Sequence, residues 1–495
     1  MTHRTSRRAF LQRASLLSMA GAASPWALNL AAMGEAAAAT ASDYKALVCV
    51  FLNGGNDHAN TVVPFDTASH AAYAGMRPAF AYARSALMPT VLAPTVALPD
   101  ALQYALAPEM APLLPLFNTQ QLAVLLNVGT LVQPTTKEQY LARSVPLPPK
   151  LFSHNDQQSV WQSSAPEGAT SGWGGRTGDL FATGNGSATF TCVNVADNVV
   201  FLSGRSAVQY QVSPRGPVAL DAVRNPLFGS AACSAVLRTL VTAPSTHLLE
   251  HEHARVMARS LSAGDTLTAA LAGGPTLATV FPSNNSLADQ LKMVARMVST
   301  AAEMGARRQV FFVSLGGFDT HAGQAAVHPA LLTRLAAALQ AFQAAMAELG
   351  VADRVSTITE TDFGRTYTGT EGSDHGWGAT HLILGGAVNG GRFYGIAPVI
   401  ANNGPDDVGQ GRRRPSTSVD QYAAALGRWF GIGDTDLLGV LPNLGRWDVG
   451  VRGGGVCVGE HSSKLAFCVP GFPLMANACH TRTRARASSN AWRAR

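Results

Sequence analysis

Residues 45–57, "KALVCVFLNGGND", contain the stretch that decides the fold of this chain. The apolar run from Ala46 to Leu52 lacks the alternation of a strand with one solvated face, and it indicates a strand that is buried on both faces. The Gly-Gly pair after it predicts a turn into a loop, where Asp57 stands. Strands of this kind occur in parallel sheets that helices cover on both sides.

The same kind of apolar run recurs along the chain, with helical patterns between the runs. Further buried strands are predicted at 121–129, 308–317 and 353–361. Helices are predicted at 108–120, 287–304 and 330–350. The stretch 165–285 is rich in Gly, Ser and Thr and poorly periodic, so it is interpreted as an inserted region of loops with some helix. We therefore predict one α/β domain over 40–448, with a largely parallel central sheet and helices on both faces.

The first 39 residues have the pattern of an export signal. Arg7 and Arg8 precede Phe10-Leu11, and a short apolar stretch at 14–23 leads to an Ala-rich exit at 36–39. The paired arginines predict the twin-arginine pathway, with cleavage near residues 36–42 and a periplasmic or secreted protein. The apolar stretch is shorter and weaker than the ~20 apolar residues of a membrane span, so stable membrane insertion is not expected.

The other end of the chain, residues 449–495, has a different composition from the body. It carries seven Lys or Arg residues against one acid, and it has no helical or strand period. We predict a basic, disordered extension, of the kind that translation in a shifted frame would produce. A basic arm for nucleic acid or membranes is the alternative. It is disfavoured because the basic residues are sparse and lack interleaved aromatic residues.

The six cysteines of the chain include no C-x-x-C pair, which argues against a zinc ribbon or a redox motif. Cys49 lies within the first apolar strand and is interpreted as a core residue. A disulfide between Cys192 and Cys233 is compatible with an oxidising compartment, although the sequence does not establish it.

Acidic and histidine side chains follow several of the predicted strands. In an open parallel sheet the carboxyl ends of the strands form one edge, where ligands bind. Carboxylates brought together there repel one another unless a cation intervenes, and mixtures of Asp and His suit divalent metals such as zinc or manganese. Taken singly, each Asp is more often a turn or helix-cap residue than a ligand. The residues that this placement brings to the edge are Asp57, Asp319, His321, Asp362, Asp374 and His375.

Five segments carry a family resemblance, in this order: "ALVCVFLNGGNDHANTVVP", "LGGFDTHAGQ", "TETDFGRT", "GSDHGWGATHLILGGAVNGGRFYG" and "RRRPSTSVDQYAAALGRWFG". They resemble the signature blocks of a bacterial exported family, the domain-of-unknown-function family 1501, over about residues 47–448. That family is grouped with the alkaline phosphatase-like superfamily, which includes sulfatases and phosphodiesterases. The resemblance implies an alkaline phosphatase-like fold and one or two divalent ions (zinc, manganese or calcium) beside a nucleophile.

The superfamily pattern implies metal ligands residue by residue. Asp57 matches the acid that binds the metal next to the nucleophile, and Asp319 with His321 matches an Asp and His pair after a later strand. Asp362 matches the acid of an Asp-His pair, but Phe363 stands in place of that histidine. The resemblance therefore leaves the missing imidazole to come from Asp374-His375 or from His381.

The same resemblance implies a nucleophile after the second strand, where the chain turns into a helix. Ser153 is the residue at that place, and an N-cap of the helix is the alternative interpretation. His154 is either a ligand or an acid. Arg365 is interpreted as a partner for the oxyanion, with a surface ion pair to Glu360 or Glu371 as the alternative.

Two functions remain open at this stage. The first is an exported metal-dependent hydrolase of phosphate or sulfate esters, small or polymer-borne, that uses metal-activated Ser153 or water. The second is a non-catalytic exported binding or assembly protein that keeps the phosphatase-like fold. Nucleic acid is not expected as a partner, because the basic charge of the chain lies at its two ends. A pair of histidines at 247 and 251 is interpreted as part of a solvated helix face.

Overall fold

The computed structural model describes residues 43–218 and 220–447. The predicted export signal at 1–39, its cleavage near 36–42 and the predicted extension at 449–495 lie outside the described residues. These three assignments therefore stay predictions.

A mixed, mostly parallel sheet forms the centre of the protein. Its strands are β1 Lys45–Leu52, β4 Leu122–Gly129, β5 Cys192–Asn194, β6 Tyr210–Ser213, β7 Gly216–Pro217, β8 Arg308–Leu315, β9 Val355–Thr361, β10 Ala379–Leu384, β11 Arg392–Tyr394 and β12 Thr417–Ser418. Their order is β11-β4-β10-β9-β1-β8-β5-β6-β7, and β12 pairs with β4. The strands β9, β1, β8, β5 and β6 are parallel neighbours, so their carboxyl ends share one edge. A separate antiparallel pair joins β2 Val62–Pro64 to β3 Tyr104–Leu106.

Helices connect and cover these strands. The α-helices are α1 Thr67–Met76, α2 Arg84–Leu87, α3 Leu114–Asn118, α4 Lys137–Ala142, α5 His154–Ser163, α6 Trp173–Phe181, α7 Asp221–Arg224, α8 Ala231–Thr242, α9 Leu248–Gly273, α10 Ser286–Ser299, α11 Gln324–Glu348, α12 Val419–Phe430 and α13 Asp434–Val440. Short 3₁₀ segments lie at His58–Asn60, Met88–Thr90, Pro99–Ala101, Pro108–Leu113, Ala182–Gly184, Ala188–Phe190 and Leu444–Arg446.

The central strand β1 divides the core into two layers, because successive side chains of a strand point to opposite faces. Val48 and Val50 pack on one face in a cluster with side chains of α10 and α11. Cys49 and Phe51 pack on the other face with side chains of α5, α6 and α12. The prediction of an α/β fold with helices on both faces of a largely parallel sheet is confirmed.

The region 165–285 contains more regular structure than its composition predicted. Its strand β5 is part of the central sheet and pairs in parallel with β8, and its helix α9 has 26 residues. The strand was missed because three residues are too few to show a strand period. In the segment 108–120, the predicted helix begins as a 3₁₀ turn over Pro108–Leu113 and becomes α-helical only at Leu114. Proline lacks the N–H that an α-helical ladder needs.

Among the described helices, Gln324–Glu348 is long and apolar enough, by length and composition, to cross a membrane. Of its most apolar window, 61% is buried inside the protein. This helix is α11, which packs on the central sheet, and burial in a core accounts for its apolar composition.

The cysteines of the described chain do not form the bond that the sequence allowed. Cys49, Cys192 and Cys233 are free. Cys192 is buried in the central sheet, whereas Cys233 lies exposed on α8.

Candidate metal centre

The carboxyl edge of the sheet gathers acids and histidines from three segments. Asp319 and His321 follow β8, and Asp374 with His375 lies in the loop between β9 and β10. His154 is the first residue of α5, which packs over the same edge. Because β1, β8 and β9 are parallel neighbours, the loops that follow them meet at one place. The predicted convergence of Asp319, His321, Asp374 and His375 is therefore what the fold produces.

Three imidazoles point their Nε2 atoms at the carboxylate of Asp319. His321 Nε2 lies 2.9 Å and His375 Nε2 3.2 Å from Oδ1, and His154 Nε2 lies 3.4 Å from Oδ2. The Nε2 atoms of His321 and His375 are themselves 2.9 Å apart. Nitrogen and carboxylate donors that face one another in this way have the chemistry of a zinc or manganese site.

The ring of His154 is held by Asp362 rather than free to turn. Its Nδ1 lies 2.6 Å from Asp362 Oδ2, which leaves Nε2 facing Asp319. The hydrogen bond to Asp362 raises the pKa of His154, with burial acting in the opposite sense. Gln158 Nε2 and the amide of Gly54 also donate to Asp362. Asp362, predicted as a metal ligand, thus orients the histidine, which is the usual second partner of a metal-bound imidazole.

The ring of His375 is fixed in the same manner. Its Nδ1 donates to the carbonyl oxygen of Phe152 at 2.6 Å, so the lone pair of the neutral ring is on Nε2. Burial lowers the pKa of His375, which favours the neutral form that can bind a metal. The phenyl ring of Phe363 packs on this imidazole with ring centroids 4.5 Å apart.

Two overlapping sets of ligands result, and both include His375. In each set the donor atoms all lie within 4.8 Å of one another: His154, Asp319 and His375 form one set, and His321, Asp374 and His375 form the other. Asp374 also receives an ion pair from Arg412 at 3.3 Å, and Arg412 Nε donates to the carbonyl oxygen of His375. The acids are about half exposed, at 43% for Asp319 and 56% for Asp374, so the centre is open to a ligand from solvent.

Asp57 does not join this centre, contrary to the prediction. Its side chain is fully buried and forms an ion pair with Arg77 at 2.6 Å. Burial alone would raise the pKa of Asp57, but the charge and hydrogen bond of Arg77 lower it to about 2. The carboxylate is therefore already neutralised inside the protein, and a metal is not needed to balance its charge.

Arg365 is also placed differently from either sequence interpretation. Its side chain is fully buried and donates to Asp319 Oδ1 at 2.7 Å and to the carbonyl oxygen of Gly54 at 3.3 Å. The remaining nitrogens donate to Ser373. With its donors used inside the protein, Arg365 neither faces an incoming oxyanion nor pairs with Glu360 or Glu371.

His381 lies in the core and not at the centre. It stands on β10, is 1% exposed, and packs against Trp161 and Tyr422 with ring centroids 4.8 and 6.0 Å away. Burial lowers the pKa of His381 to about 3, so the ring is neutral. Of the two sources proposed for the missing imidazole, the structure brings only His375 to the metal ligands.

Ser153 stands directly before α5, between two residues that contact the centre. Phe152 accepts the hydrogen bond of His375, and His154 supplies an imidazole. The hydroxyl of Ser153 makes no capping bond to the helix and donates instead to Asp156 Oδ2 at 3.1 Å. Ser153 therefore occupies the N-cap position of α5, but its side chain does not accept the bond from the first turn by which a cap stabilises a helix.

Sequence reasoning missed some residues that complete the centre. Gln158 lies on α5 one turn after His154, and Arg412 is the first of three consecutive arginines in the last signature block. No local signal separated Arg412 from the two arginines that follow it. His154 was noticed, and its role as one of the converging imidazoles depended on where α5 packs.

Buried titratable groups around the centre lead to a prediction about pH. Burial lowers the pKa of His58 and His328 to about 4 and that of His381 to about 3. Unfolded histidine takes a proton near pH 6.5, so the unfolded state gains protons first as the pH falls. Burial raises the pKa of Glu360 to about 8, so this group favours folding below pH ~4.5 and loses that contribution as the pH rises to about 8.

We therefore expect the free energy of unfolding to be largest near pH 6.5. Each buried histidine removes up to about 3 kcal/mol as the pH falls from 6.5 toward 4, and Glu360 and His154, whose pKa values are raised, both lower the stability as the pH rises above 6.5. Urea unfolding with a chelator present measures this profile. His381→Phe should flatten the acid limb and Glu360→Gln the alkaline limb, whereas His251→Ala, at an exposed position on α9, should change neither. A flat profile from pH 4.5 to 8 would refute the assignment.

Comparisons with solved structures find sulfatases at low similarity. The PsFucS1 sulfatase from Pseudoalteromonas sp. matches with a TM-score of 0.32 and 9% identity, over 81% of this chain and 72% of that one. A protein from a core locus for glycosaminoglycan metabolism in Bacteroides thetaiotaomicron matches with a TM-score of 0.33 and 9% identity, over 80% and 74% of the two chains. At TM-scores this low, the likeness does not indicate which residues act or on what.

A comparison with curated proteins finds no match. The model of a family described as "Protein of unknown function (DUF1501)" matches residues 44–439, which is most of the chain. The resemblance of the five sequence segments is thereby confirmed, and this chain belongs to the DUF1501 family.

Proposed function

We propose that this chain is an exported hydrolase of phosphate or sulfate esters, working outside the cytoplasm with one or two divalent ions. The observation that supports it most is the convergence of the Nε2 atoms of His154, His321 and His375 on Asp319. Two of the rings are fixed by hydrogen bonds on their other nitrogen, as metal-bound histidines are.

The donor set suits some divalent ions better than others. Neutral imidazoles mixed with carboxylates favour zinc or manganese over calcium, which prefers a shell made of oxygen atoms. A bound ion would polarise an ester oxygen and favour the ionised form of a nearby hydroxyl or water. The ligands of an ion at His375 would be one or the other of the two sets that share this residue, because its Nε2 lone pair binds a single ion.

The protein supplies the groups around that ion. Ser153 is the proposed nucleophile, and Asp156, which accepts its hydroxyl proton in a 3.1 Å hydrogen bond, is the proposed base. Arg412 takes the role that the sequence analysis assigned to Arg365. Its side chain is 20% exposed at the rim of the centre, and among the described residues its NH1 has no hydrogen-bond partner. It can therefore donate to an oxyanion.

The proposal predicts that purified protein cleaves an aryl phosphate, an aryl phosphodiester or an aryl sulfate, and that a chelator stops the reaction. We expect Ser153→Ala to lower the rate by about 10²-fold or more while the metal content stays unchanged. Ser144→Ala, at an exposed serine of the same connection, is the matched control and should leave the rate unchanged. Full activity in Ser153→Ala would move the nucleophilic role to water or to another residue.

A second function, a non-catalytic exported binding or assembly protein, rests on Phe363. Its ring packs against both His154 and His375, with centroids 4.9 and 4.5 Å away, and it stands at the position where the superfamily pattern has a histidine. A metal centre with one imidazole replaced can bind an anionic group without activating a nucleophile. Protein with a filled metal centre and no cleavage across the ester panel would favour this function.

A further inference from the structure

Two ion pairs, one fully buried and one that reaches the metal centre, are joined by hydrogen bonds. Arg365 pairs with Asp319 at 2.7 Å, and Arg77 pairs with Asp57 at 2.6 Å. Both arginines and Asp57 have fully buried side chains. Gln324, the first residue of α11, contacts Asp57, so the second pair is linked to the centre through the interior.

The direction of each hydrogen bond in this link is determined by its chemistry. A carboxylate only accepts, so Gln324 presents Nε2 to Asp57 and its Oε1 must accept from another donor. That donor is the hydroxyl of Ser373, at 2.6 Å. With its proton used there, the Ser373 oxygen accepts from Arg365 Nε at 3.3 Å.

We propose that Asp57, Gln324, Ser373 and Arg365 form a positioning chain that holds Asp319 in the orientation that binds metal. The inference rests on the proposed metal function of the centre. The guanidinium of Arg365 is planar and is anchored on one side by Ser373 and Gly54, so its NH1 is fixed in space. Because Asp319 is 43% exposed, its carboxylate would otherwise sample several rotamers in water. Asp57 thus acts on the metal centre from the interior and not as a ligand.

Two effects of Arg365 on metal affinity have opposite signs: repulsion between its charge and the ion, and its positioning of Asp319. The Ser373→Ala variant distinguishes them. A cation beside a metal ion repels it, so removal of the Arg365 charge alone would strengthen metal binding. Ser373→Ala keeps every charge and removes only the hydroxyl that connects Gln324 to Arg365. A loss of metal affinity in Ser373→Ala would therefore mean that Arg365 acts by positioning Asp319.

The test measures zinc affinity of the full-length chain by competition with a chelating dye, and the visible spectrum of the cobalt-loaded protein. We expect Ser373→Ala and Gln324→Met each to weaken zinc binding about tenfold, as loss of a partner behind a metal ligand does. We expect the cobalt spectrum to shift, because the coordination geometry changes. Ser159→Ala is the control. This buried serine donates to the carbonyl oxygen of Pro166 at 2.9 Å, outside the chain, and its loss should affect neither readout.

The double variant of Ser373→Ala with Gln324→Met should lose little more affinity than either single variant, because both break the same link. Arg365→Lys should recover part of the zinc affinity that Arg365→Met loses. The ammonium group of lysine can contact Asp319, but it cannot make all the hydrogen bonds of the planar guanidinium. Wild-type zinc affinity and an unchanged cobalt spectrum in Ser373→Ala would overturn the positioning chain while leaving the metal centre intact. A wild-type protein that binds neither zinc nor cobalt would overturn both proposals.

Discussion

His375→Ala should leave the purified protein with almost no tightly bound divalent metal. His375 is the one side chain that both sets of ligands share, and its Nε2 is presented by the hydrogen bond from Nδ1 to the carbonyl oxygen of Phe152. Each set keeps two donors without it, one short of the three protein ligands of a typical catalytic zinc site. Metal content after dialysis, measured by elemental analysis, tests this expectation, and ester cleavage should be lost in parallel.

The two other histidines make the prediction more specific. His154→Ala removes a ligand only from the set with Asp319, and His321→Ala only from the set with Asp374. Because the Nε2 lone pair of His375 binds one ion at a time, the two sets are alternative sites for that ion, and only the variant that removes a ligand of the occupied set should lower the metal content, whereas His375→Ala lowers it in either case. His251→Ala, at an exposed histidine of α9, controls for nonspecific binding by imidazoles and should retain the wild-type content. Wild-type metal content in His375→Ala would refute the shared-ligand arrangement.

The parts of this centre that the sequence predicted are those that follow from strand order. Asp319, His321, Asp374 and His375 were predicted together because they follow strands with continuous apolar runs, and such strands lie parallel. The carboxyl edge then brings them together whatever the details of the loops. Long buried strands such as β1 and β8 gave an unmistakable pattern, whereas β5, with three residues, gave none.

The residues whose predicted roles differ from the structure share another property: each role depends on a partner that is distant in the sequence. Asp57 forms an ion pair with Arg77, which directly follows α1, and Arg365 forms an ion pair with Asp319. Nothing in the local pattern distinguishes a strand-end carboxylate that faces solvent from one that an arginine neutralises in the core. His381 was misassigned for a related reason: its side chain points to the face of the sheet that α5 and α12 cover.

These partners explain how a protein with few charged residues can gather so many at one edge. Arg77 balances Asp57 in the interior, Arg365 contacts Asp319 from the buried side and Arg412 contacts Asp374. The exposed sides of Asp319 and Asp374 face the imidazoles. The carboxylates that solvent reaches, Asp319 and Asp374, therefore lie on the side where an ion can enter. We therefore expect fold stability to depend on Arg77, for which the sequence pattern indicated no role, and the orientation of Asp319 to depend on Arg365, which the sequence analysis interpreted as an oxyanion partner.

Arg77→Met should destabilise the protein by about 3–5 kcal/mol at neutral pH, which is the usual effect of removing one partner of a buried ion pair. Arg77 also donates to Asn60 Oδ1 and to the carbonyl oxygens of Thr366 and Tyr367, so these acceptors would lose a donor as well. Urea unfolding of the two proteins measures the difference. Arg238→Met is the control, because Arg238 pairs with Asp265 at 2.8 Å where both side chains are more than 40% exposed, and its loss should cost less than about 1 kcal/mol.

The pH dependence of that loss identifies its cause. In the wild-type protein, Arg77 holds the pKa of Asp57 at about 2 against the effect of burial, so the stabilisation is present above the unfolded value of ~3.9 and is lost as the pH falls toward 2. Without Arg77, burial raises the pKa of Asp57. The carboxyl group can then take up a proton and remain buried in its neutral form. The difference in the free energy of unfolding between Arg77→Met and wild type should therefore shrink as the pH is lowered.

Asp57→Asn combined with Arg77→Met should be more stable than Arg77→Met alone at neutral pH, because no unpaired charge remains. A deficit that is independent of pH, and that Asp57→Asn does not reduce, would show that Arg77 stabilises the fold through packing and not through the charge of Asp57.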